Sequence, residues 1–500
     1  MATAIEQINQ AAGLIVPEII LLATVCVMFL VGPFLMKENG IADPGLRHRW
    51  GILSLISLGL AAWVWYGITP QPVGTGPFRV DEFVCFIRGT SLIFGGILVL
   101  MLWNQIDDTH AAEAHACLLA MVAGTNLTVL ANDLVGLFLG LELVSIPTYV
   151  LIYLPKRDRA MREATIKYFM LSIFSAALVL YGMSWLFGAT GTTNLVGIAD
   201  ALQNPSNTAA SSLLPLAVAL LIAGLGSRIT AVPFHFYAPD VFQGASSSMA
   251  AILSFIPKLV GFAALLRLIP LMAGAVTPGA WAAEGSLQCL LSVLAVVTMF
   301  VGNLLALRQV NLQRLLAYSS VAHAGYLLVG FTVGDSGTTV KGMSALLFYL
   351  PVYGLMTIGA FALIASAGRG GRPIQTLKDL AGLSRTQPAI AFLLSVCLFS
   401  LTGMPPTAGL LGKLNLFFAA WSEGTQQGQI LAILLAVNAM IAAFYYLRMV
   451  AVMYLEVPQD DAAPTLDPVS GLAGVLCTIA TIAIFIAPQW LWDAVLKASV

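Results

Sequence analysis

The stretch "AGLGSRITAVPFHFYAPDVFQGASSSMAAILSFIPKLVG", Ala223–Gly261, decides the fold. One apolar run carries Arg228, is interrupted at Pro233 and Pro239, and continues into a second apolar run that carries Lys258. A full charge at the centre of a bilayer costs about 3 kcal/mol on insertion scales, so two in consecutive runs call for a function. Proline has no N–H to continue a helix, and a helix broken at membrane depth presents backbone dipoles to whatever lies beside it. The expectation is a charged site built around a broken membrane helix.

The rest of the chain supports that setting. Of 500 residues 59% are hydrophobic and 9% are charged, against roughly 25% charged in a soluble domain. This composition describes an all-α polytopic membrane protein whose surroundings are the lipid bilayer. A net charge of -1 with dispersed basic residues makes no field for nucleic acid, which is excluded as a partner. Cys26, Cys85, Cys117, Cys289, Cys397 and Cys477 stand singly without a C-x-x-C pair. That spacing argues against iron–sulfur, zinc and disulfide frameworks and leaves them as packing residues. The N-terminus holds Glu6 and no basic stretch before the first apolar run, so that run reads as a retained anchor.

Runs of about 20 apolar residues fall at 14–36, 50–68, 80–103, 113–131, 133–154, 162–188, 211–246 (broken), 247–272, 284–307, 312–334, 340–367, 388–421 (broken), 426–456 and 468–494. The count is about 14 transmembrane helices. Lys37, Arg47, Arg49, Lys156, Arg157, Arg159, Arg162, Arg308, Arg369, Arg372, Lys378 and Arg385 gather after odd-numbered spans. By the positive-inside rule both termini then face outward, the periplasm in a bacterium with this chain in its inner membrane. The connections Arg369–Gln387 and Glu456–Pro468 are too short for a nucleotide or flavin domain. "GRGGRP" at Gly368–Pro373 has no strand before it and reads as a turn.

The two broken spans suggest internal symmetry. Helices 1–3 occupy residues 1–112, a first five-helix repeat with broken helix 7 occupies 113–272, a second with broken helix 12 occupies 273–456, and helix 14 occupies 457–500. An odd number of helices per unit makes the second repeat enter from the opposite face, the inverted-repeat plan of many transporters.

Five side chains are candidates for chemistry. Glu142, in the middle of "DLVGLFLGLELVSIPTYVLIYL", must pair with a cation or hold a proton; gluing helices by a hydrogen bond is the bland alternative. Arg228 is its natural partner and, because an arginine does not deprotonate, can bias a neighbour but not pass a proton. Lys258 can exchange its proton when neighbouring charge changes, and Pro257 frees a carbonyl that its ammonium or a water could use; snorkelling to an interface competes with that role. Lys413 follows the Pro405–Pro406 break as Arg228 precedes the Pro233 break. His323 stands among Ser319, Ser320 and Tyr326 and could relay protons between its two nitrogens, or be a hydrogen-bonded core histidine, as could His235. Asp133 reads as a helix cap with Asn132.

The stretches Asn132–Leu151, Val232–Ala245, Asn311–Leu328 and "GMPPTAGLLGK" at Gly403–Lys413 together resemble the antiporter-like membrane subunits of NADH:quinone oxidoreductase, respiratory complex I. "PDVFQGA" is most similar to the N-type branch. The resemblance implies a translocase subunit with no cofactor of its own. NADH, flavin, iron–sulfur clusters and quinone would belong to other subunits, and other membrane-arm subunits, antiporter-like ones included, would be its partners. It implies that Glu142, the charge at 228, Lys258 and Lys413 form a chain of ionisable residues with His323 as a linking member. The family usually has lysine where this sequence has Arg228, and proline and threonine are common in the element that here reads "SSSMAAILSFIPK". An arginine there is a fixed charge, and proton loading falls to Lys258. Two rival functions are a multisubunit sodium/proton antiporter module and a non-conducting structural subunit.

Overall fold

A computed structural model describes residues 12–35, 43–71, 76–154, 159–203, 208–273, 286–333, 341–369, 372–458 and 463–499. The first helices are α1 (Val16–Val31), α2 (Leu46–Tyr66), α3 (Glu82–Leu102), α4 (Ala111–Leu130), α5 (Leu134–Tyr153) and α6 (Arg159–Thr190). A short α7 (Leu195–Gln203) precedes α8 (Thr208–Arg228), α9 (Ala238–Gly244), α10 (Ser247–Ala273), α11 (Ser286–Leu307), α12 (Leu312–Val329) and α13 (Gly342–Ser366). Then come α14 (Leu383–Thr386), α15 (Pro388–Thr402), α16 (Ala408–Ser422), α17 (Gln426–Leu455), α18 (Pro468–Ile486) and α19 (Gln489–Ala498).

Every stretch read as a span contains helix, but the count of 14 is not reproduced by length and composition. Ten helices among the described residues are long and apolar enough to cross a membrane; Leu213–Arg228 and Pro388–Thr402 are shorter apolar helices. The broken spans divide at the expected breaks, and the last span also divides. Pro488, without an N–H for the helix ladder, separates α18 from α19.

Side chains at the helix starts explain several boundaries. Asp81 caps α3 by accepting the Val84 N–H at 2.9 Å, and Asn311 caps α12 by accepting that of Arg314 at 3.0 Å. Asp133 accepts the Gly136 N–H at 2.6 Å, the capping role its sequence position implied. The helices α10 and α13 are buried along their length, whereas α1, α6 and α17 turn apolar faces outward. Exposed Trp63, Met170 and Phe444 belong to the surface of a protein solvated by lipid, whose tails are as apolar as leucine.

One face collects the loops with Arg308, Arg372, Lys378 and Arg385, because the Leu312 N–H donates to Gln375 O at 2.8 Å and that of Leu377 to Val310 O at 3.0 Å. We call it the basic face. Three short strands lie there in the order β2 (Arg372–Pro373), β1 (Ala367–Arg369), β3 (Pro464–Leu466), all antiparallel. "GRGGRP" therefore supplies both arms of a hairpin; Gly370 and Gly371 between them lie outside the described residues. The cysteines are all free; Cys117, Cys397 and Cys477 are buried in the core and Cys85 packs partly buried against it. Cys26 and Cys289 lie on the exposed face, which corrects the reading of all six as packing residues.

Candidate proton-transfer site

The two breaks place the charges. After α8 the chain leaves helical geometry at Thr230, which has a φ of 61°, and α9 resumes at Ala238. The Val232 N–H donates to Thr298 Oγ1 on α11 at 3.1 Å, and Tyr237 Oη donates to Ser227 O at 2.8 Å, so the last turn of α8 and the turn beyond it are both held. Arg228 is the final residue of α8. Its Nη2 donates to Glu142 Oε1 at 2.5 Å; its Nη1 donates to Leu141 O at 3.0 Å and Ser145 Oγ at 2.5 Å. A planar guanidinium can serve one carboxylate and two neutral acceptors at once, whereas an ammonium on a flexible stem offers no such fork. Arg228 is buried, while the Glu142 side chain keeps 23% of its surface exposed.

No hydrogen bond joins Arg228 to Lys258 among the described residues. Beside Arg228 lies a small cavity of about 20 Å³ lined by Ser145, Tyr168, Ser227, Arg228, Tyr237 and Pro257, with room for about one water molecule. Lys258 is 1% exposed, so it does not snorkel. Nor does its ammonium turn to the carbonyl freed by Pro257. It donates to both the carbonyl and the hydroxyl of Ser320 on α12, with Tyr353 Oη at 3.5 Å and the Tyr353 ring centroid at 5.3 Å. Ser320 Oγ and Tyr353 Oη share a hydrogen bond at 2.7 Å, and Tyr353 Oη donates onward to Ser254 O at 3.0 Å.

One turn further along α12 sits His323, fully buried. Its Nδ1 bonds Tyr349 Oη at 2.6 Å and its Nε2 lies 3.3 Å from Tyr446 Oη, which in turn bonds Ser319. Its ring is 5.3 Å from the Tyr353 ring and 5.4 Å from that of Tyr326, centroid to centroid.

Lys413 completes the series at the second break. Helix α15 ends on Gly403, with a φ of 89°. The Met404 N–H reaches back to Phe399 O at 2.9 Å and the Gly403 N–H to Ser400 O at 3.0 Å, the Schellman closure that a left-handed glycine permits. The carbonyls of Leu401 and Thr402 are left without helix partners by Pro405 and Pro406. Lys413, on the returning helix, donates to them at 2.8 and 2.9 Å, the favourable place for a cation at a helix C-terminus. Its ammonium also lies 4.9 Å from the Tyr326 ring centroid. The five expected residues thus lie on α5, α8, α10, α12 and α16; Glu142 and Arg228 are paired directly, while Lys258, His323 and Lys413 each have their own partners, with no hydrogen bond among the described residues joining them to one another. His235 lies half-buried in the turn between α8 and α9, and no hydrogen bond among the described residues joins it to the five.

The chain itself matches a known family. The family described as NADH:quinone oxidoreductase/Mrp antiporter, membrane-spanning, matches residues 131–458. The chain belongs to this NADH:quinone oxidoreductase/Mrp antiporter family. Curated relatives in the family include NADH-quinone oxidoreductase subunit N of Trichlorobacter lovleyi, 38% identical over 91% of both chains. That of Rhodospirillum rubrum is 34% identical over 97% of this chain and 96% of its own. A chain of respiratory complex I from Thermus thermophilus with bound aureothin superimposes with a TM-score of 0.77, at 29% identity over 96% of this chain and 99% of that one. A chain of the Mrp complex of Dietzia sp. shares the fold at a TM-score of 0.76 and 20% identity over 96% of both.

Sequence reasoning passed over several members of the site. Tyr349, Tyr353 and Tyr446 give no signal in an apolar helix, where tyrosine is ordinary; their value comes only from convergence on His323 and Lys258. Two buried cations were readable and went unremarked. Arg88, in "EFVCFIRGTSLIF", donates to Glu18 at 3.1 and 2.8 Å. Arg267, in "AALLRLIPL", forks onto Asp81 at 2.7 and 2.9 Å. Each is a charge inside an apolar run, the signal that singled out Arg228 and Lys258.

Proposed function

We propose that this chain is a proton-translocating membrane-arm subunit of an NADH:quinone oxidoreductase, with quinone reduction elsewhere in the complex driving proton transfer through Glu142, Arg228, Lys258, His323 and Lys413. The observation that carries the reading is the packing of two buried polar groups side by side: Lys258 with Ser320 and Tyr353, and His323 with Tyr349 and Tyr446, the Tyr353 and His323 rings lying 5.3 Å apart. Arg228 acts as a fixed charge, since it cannot release a proton. A charge moved in a neighbouring subunit weakens or strengthens the Glu142–Arg228 pair, and the altered field changes the free energy of protonating Lys258. Each unit of pKa is about 1.4 kcal/mol, well within the coupling available between charges in a poorly screened interior. A proton released by Lys258 passes to the Ser320–Tyr353 hydroxyl pair; onward transfer to His323 and then Lys413 requires side-chain movement, because the Tyr353 and His323 rings are in contact at 5.3 Å without a hydrogen bond among the described residues.

The same reading takes residues 113–272 and 273–456 as two inverted five-helix repeats, each contributing one broken helix and one cation beside the break. It places the basic face in the cytoplasm and both termini in the periplasm, as the positive-inside rule favours. A sodium/proton antiporter module is less well supported, because the charged groups of the site are mostly cations. The test is the ratio of protons moved to NADH:quinone turnover in inverted membrane vesicles carrying Lys258→Ala, with assembly checked on a native gel. A lower ratio in an assembled complex supports the reading; an unchanged ratio removes it in favour of a structural subunit.

A further inference from the structure

A cavity of about 620 Å³ on the basic face has Glu163, Lys167, Asp240, Gln243, Gln313 and Arg314 in its lining. Asp240 is the only residue of α9 with an ion pair among the described residues, and it has two. Its Oδ2 accepts from Lys167 on α6 at 2.7 Å and its Oδ1 from Arg314 on α12 at 2.6 Å. Arg314 Nη1 also donates to Gln243 Oε1 at 2.9 Å, and Gln313 Nε2 to Ala245 O at 3.1 Å. Three contacts thus fix α9 and a fourth the residue that follows it; a helix of seven residues is too short to hold its own place.

The position of α9 matters because α10 begins three residues after it and α12 carries the acceptor of Lys258. Arg314 and Ser320 are six residues apart on α12, about 9 Å along the axis. A carboxylate that binds the start of α12 to the segment leading into α10 therefore sets the register in which Ser320 meets Lys258. Exposed ion pairs are individually worth about 1 kcal/mol or less. The consequence of Asp240 is accordingly alignment, not bulk stability.

We propose that Asp240 is a positioning residue for proton transfer at Lys258, clamping α9 between α6 and α12. The proposal rests on the reading of Lys258 as the proton carrier. Its test compares Asp240→Asn, Asp240→Glu, Arg314→Gln and the Asp240→Asn/Arg314→Gln double variant with Lys258→Ala, in vesicles holding the whole complex and scored by protons moved per turnover. The clamp predicts an assembled complex in which Asp240→Asn lowers the ratio, Asp240→Glu recovers it, and the double variant loses no more than either single one. Additive losses, or no recovery with glutamate, overturn it. If Lys258→Ala lowers the ratio and Asp240→Asn does not, the clamp alone falls; if Lys258→Ala changes nothing, the proton-carrier reading falls and the clamp with it. Should Asp240→Asn fail to assemble, Arg314→Gln against Arg314→Lys decides on the same terms.

Discussion

The Lys258 ammonium donates to both the carbonyl and the hydroxyl of Ser320. A charge on α10 is thereby solvated by α12, and the residue that accepts from the lysine is also bonded to Tyr353 at 2.7 Å. Ser320 is the joint between charge and hydroxyl network.

Ser320→Ala should leave the lysine its carbonyl acceptor while deleting the hydroxyl link. The loss of one buried hydrogen bond costs about 1 kcal/mol, small enough for the complex to assemble. The pumped-proton ratio in vesicles should fall. Ser320→Thr, which keeps a hydroxyl, should retain more of it.

At Arg228 the geometry predicts an asymmetry between two replacements. Arg228→Lys keeps the charge, but an ammonium cannot reproduce the fork onto Leu141, Ser145 and Glu142, so thermal stability of the purified complex should drop by the equivalent of about 1–2 kcal/mol. Pumping should persist. Arg228→Gln leaves Glu142 without its cation, and both stability and the pumped-proton ratio should fall.

Gly403→Ala tests the second break. A left-handed φ costs a non-glycine residue about 1–2 kcal/mol, and a Cβ there would stand 3.0 Å from Lys413 Cδ. The expected result is a lower assembled yield on native gels together with weakened pumping, because the strain falls on the lysine that caps α15.

The Glu18–Arg88 pair, whose side chains are 1% and 0% exposed, lies outside the proposed pathway. Breaking a buried pair by removing one partner costs about 3–5 kcal/mol, whereas replacing both by apolar residues is often neutral. Glu18→Leu alone should abolish assembly; Glu18→Leu with Arg88→Met should restore it with an unchanged pumped-proton ratio.

A pH effect is expected at Asp467, in the connection before α18. Burial would raise its carboxyl, but hydrogen bonds from Asn104, Ser470, Gln105 and the Val469 N–H outweigh that and hold it below the usual carboxylate value. A lowered carboxyl contributes stability that is present above the unfolded value, about 3.9, and is lost as pH falls through the folded one. Protease nicking of the connection between α17 and α18 should therefore rise in acid, and Asp467→Asn should show that susceptibility already at neutral pH.

Much of this arrangement could be read from the chain because charge in an apolar run and proline beside it are local signals. Arg228, Lys258 and Lys413 were found that way, and the pairing of Glu142 with Arg228 followed from electroneutrality. The hydroxyl groups could not be found so. Tyr349, Tyr353 and Tyr446 are separated from His323 by 26 to 123 residues, and nothing in a fully buried helix such as α13 marks which of its positions faces a histidine. The clamp at Asp240 was hidden for the opposite reason: a charge at a helix end needs no explanation until three elements are seen to share it.

The central claim, that Lys258 carries a proton and not merely a charge, is tested most directly by Lys258→Arg. Arginine keeps the cation and can still donate to Ser320, but it does not deprotonate. With the complex assembled and turning over NADH and quinone, the number of protons moved per turnover should fall as far as it does with Lys258→Ala. A ratio equal to that of the unmodified chain would contradict the account and leave position 258 a fixed charge.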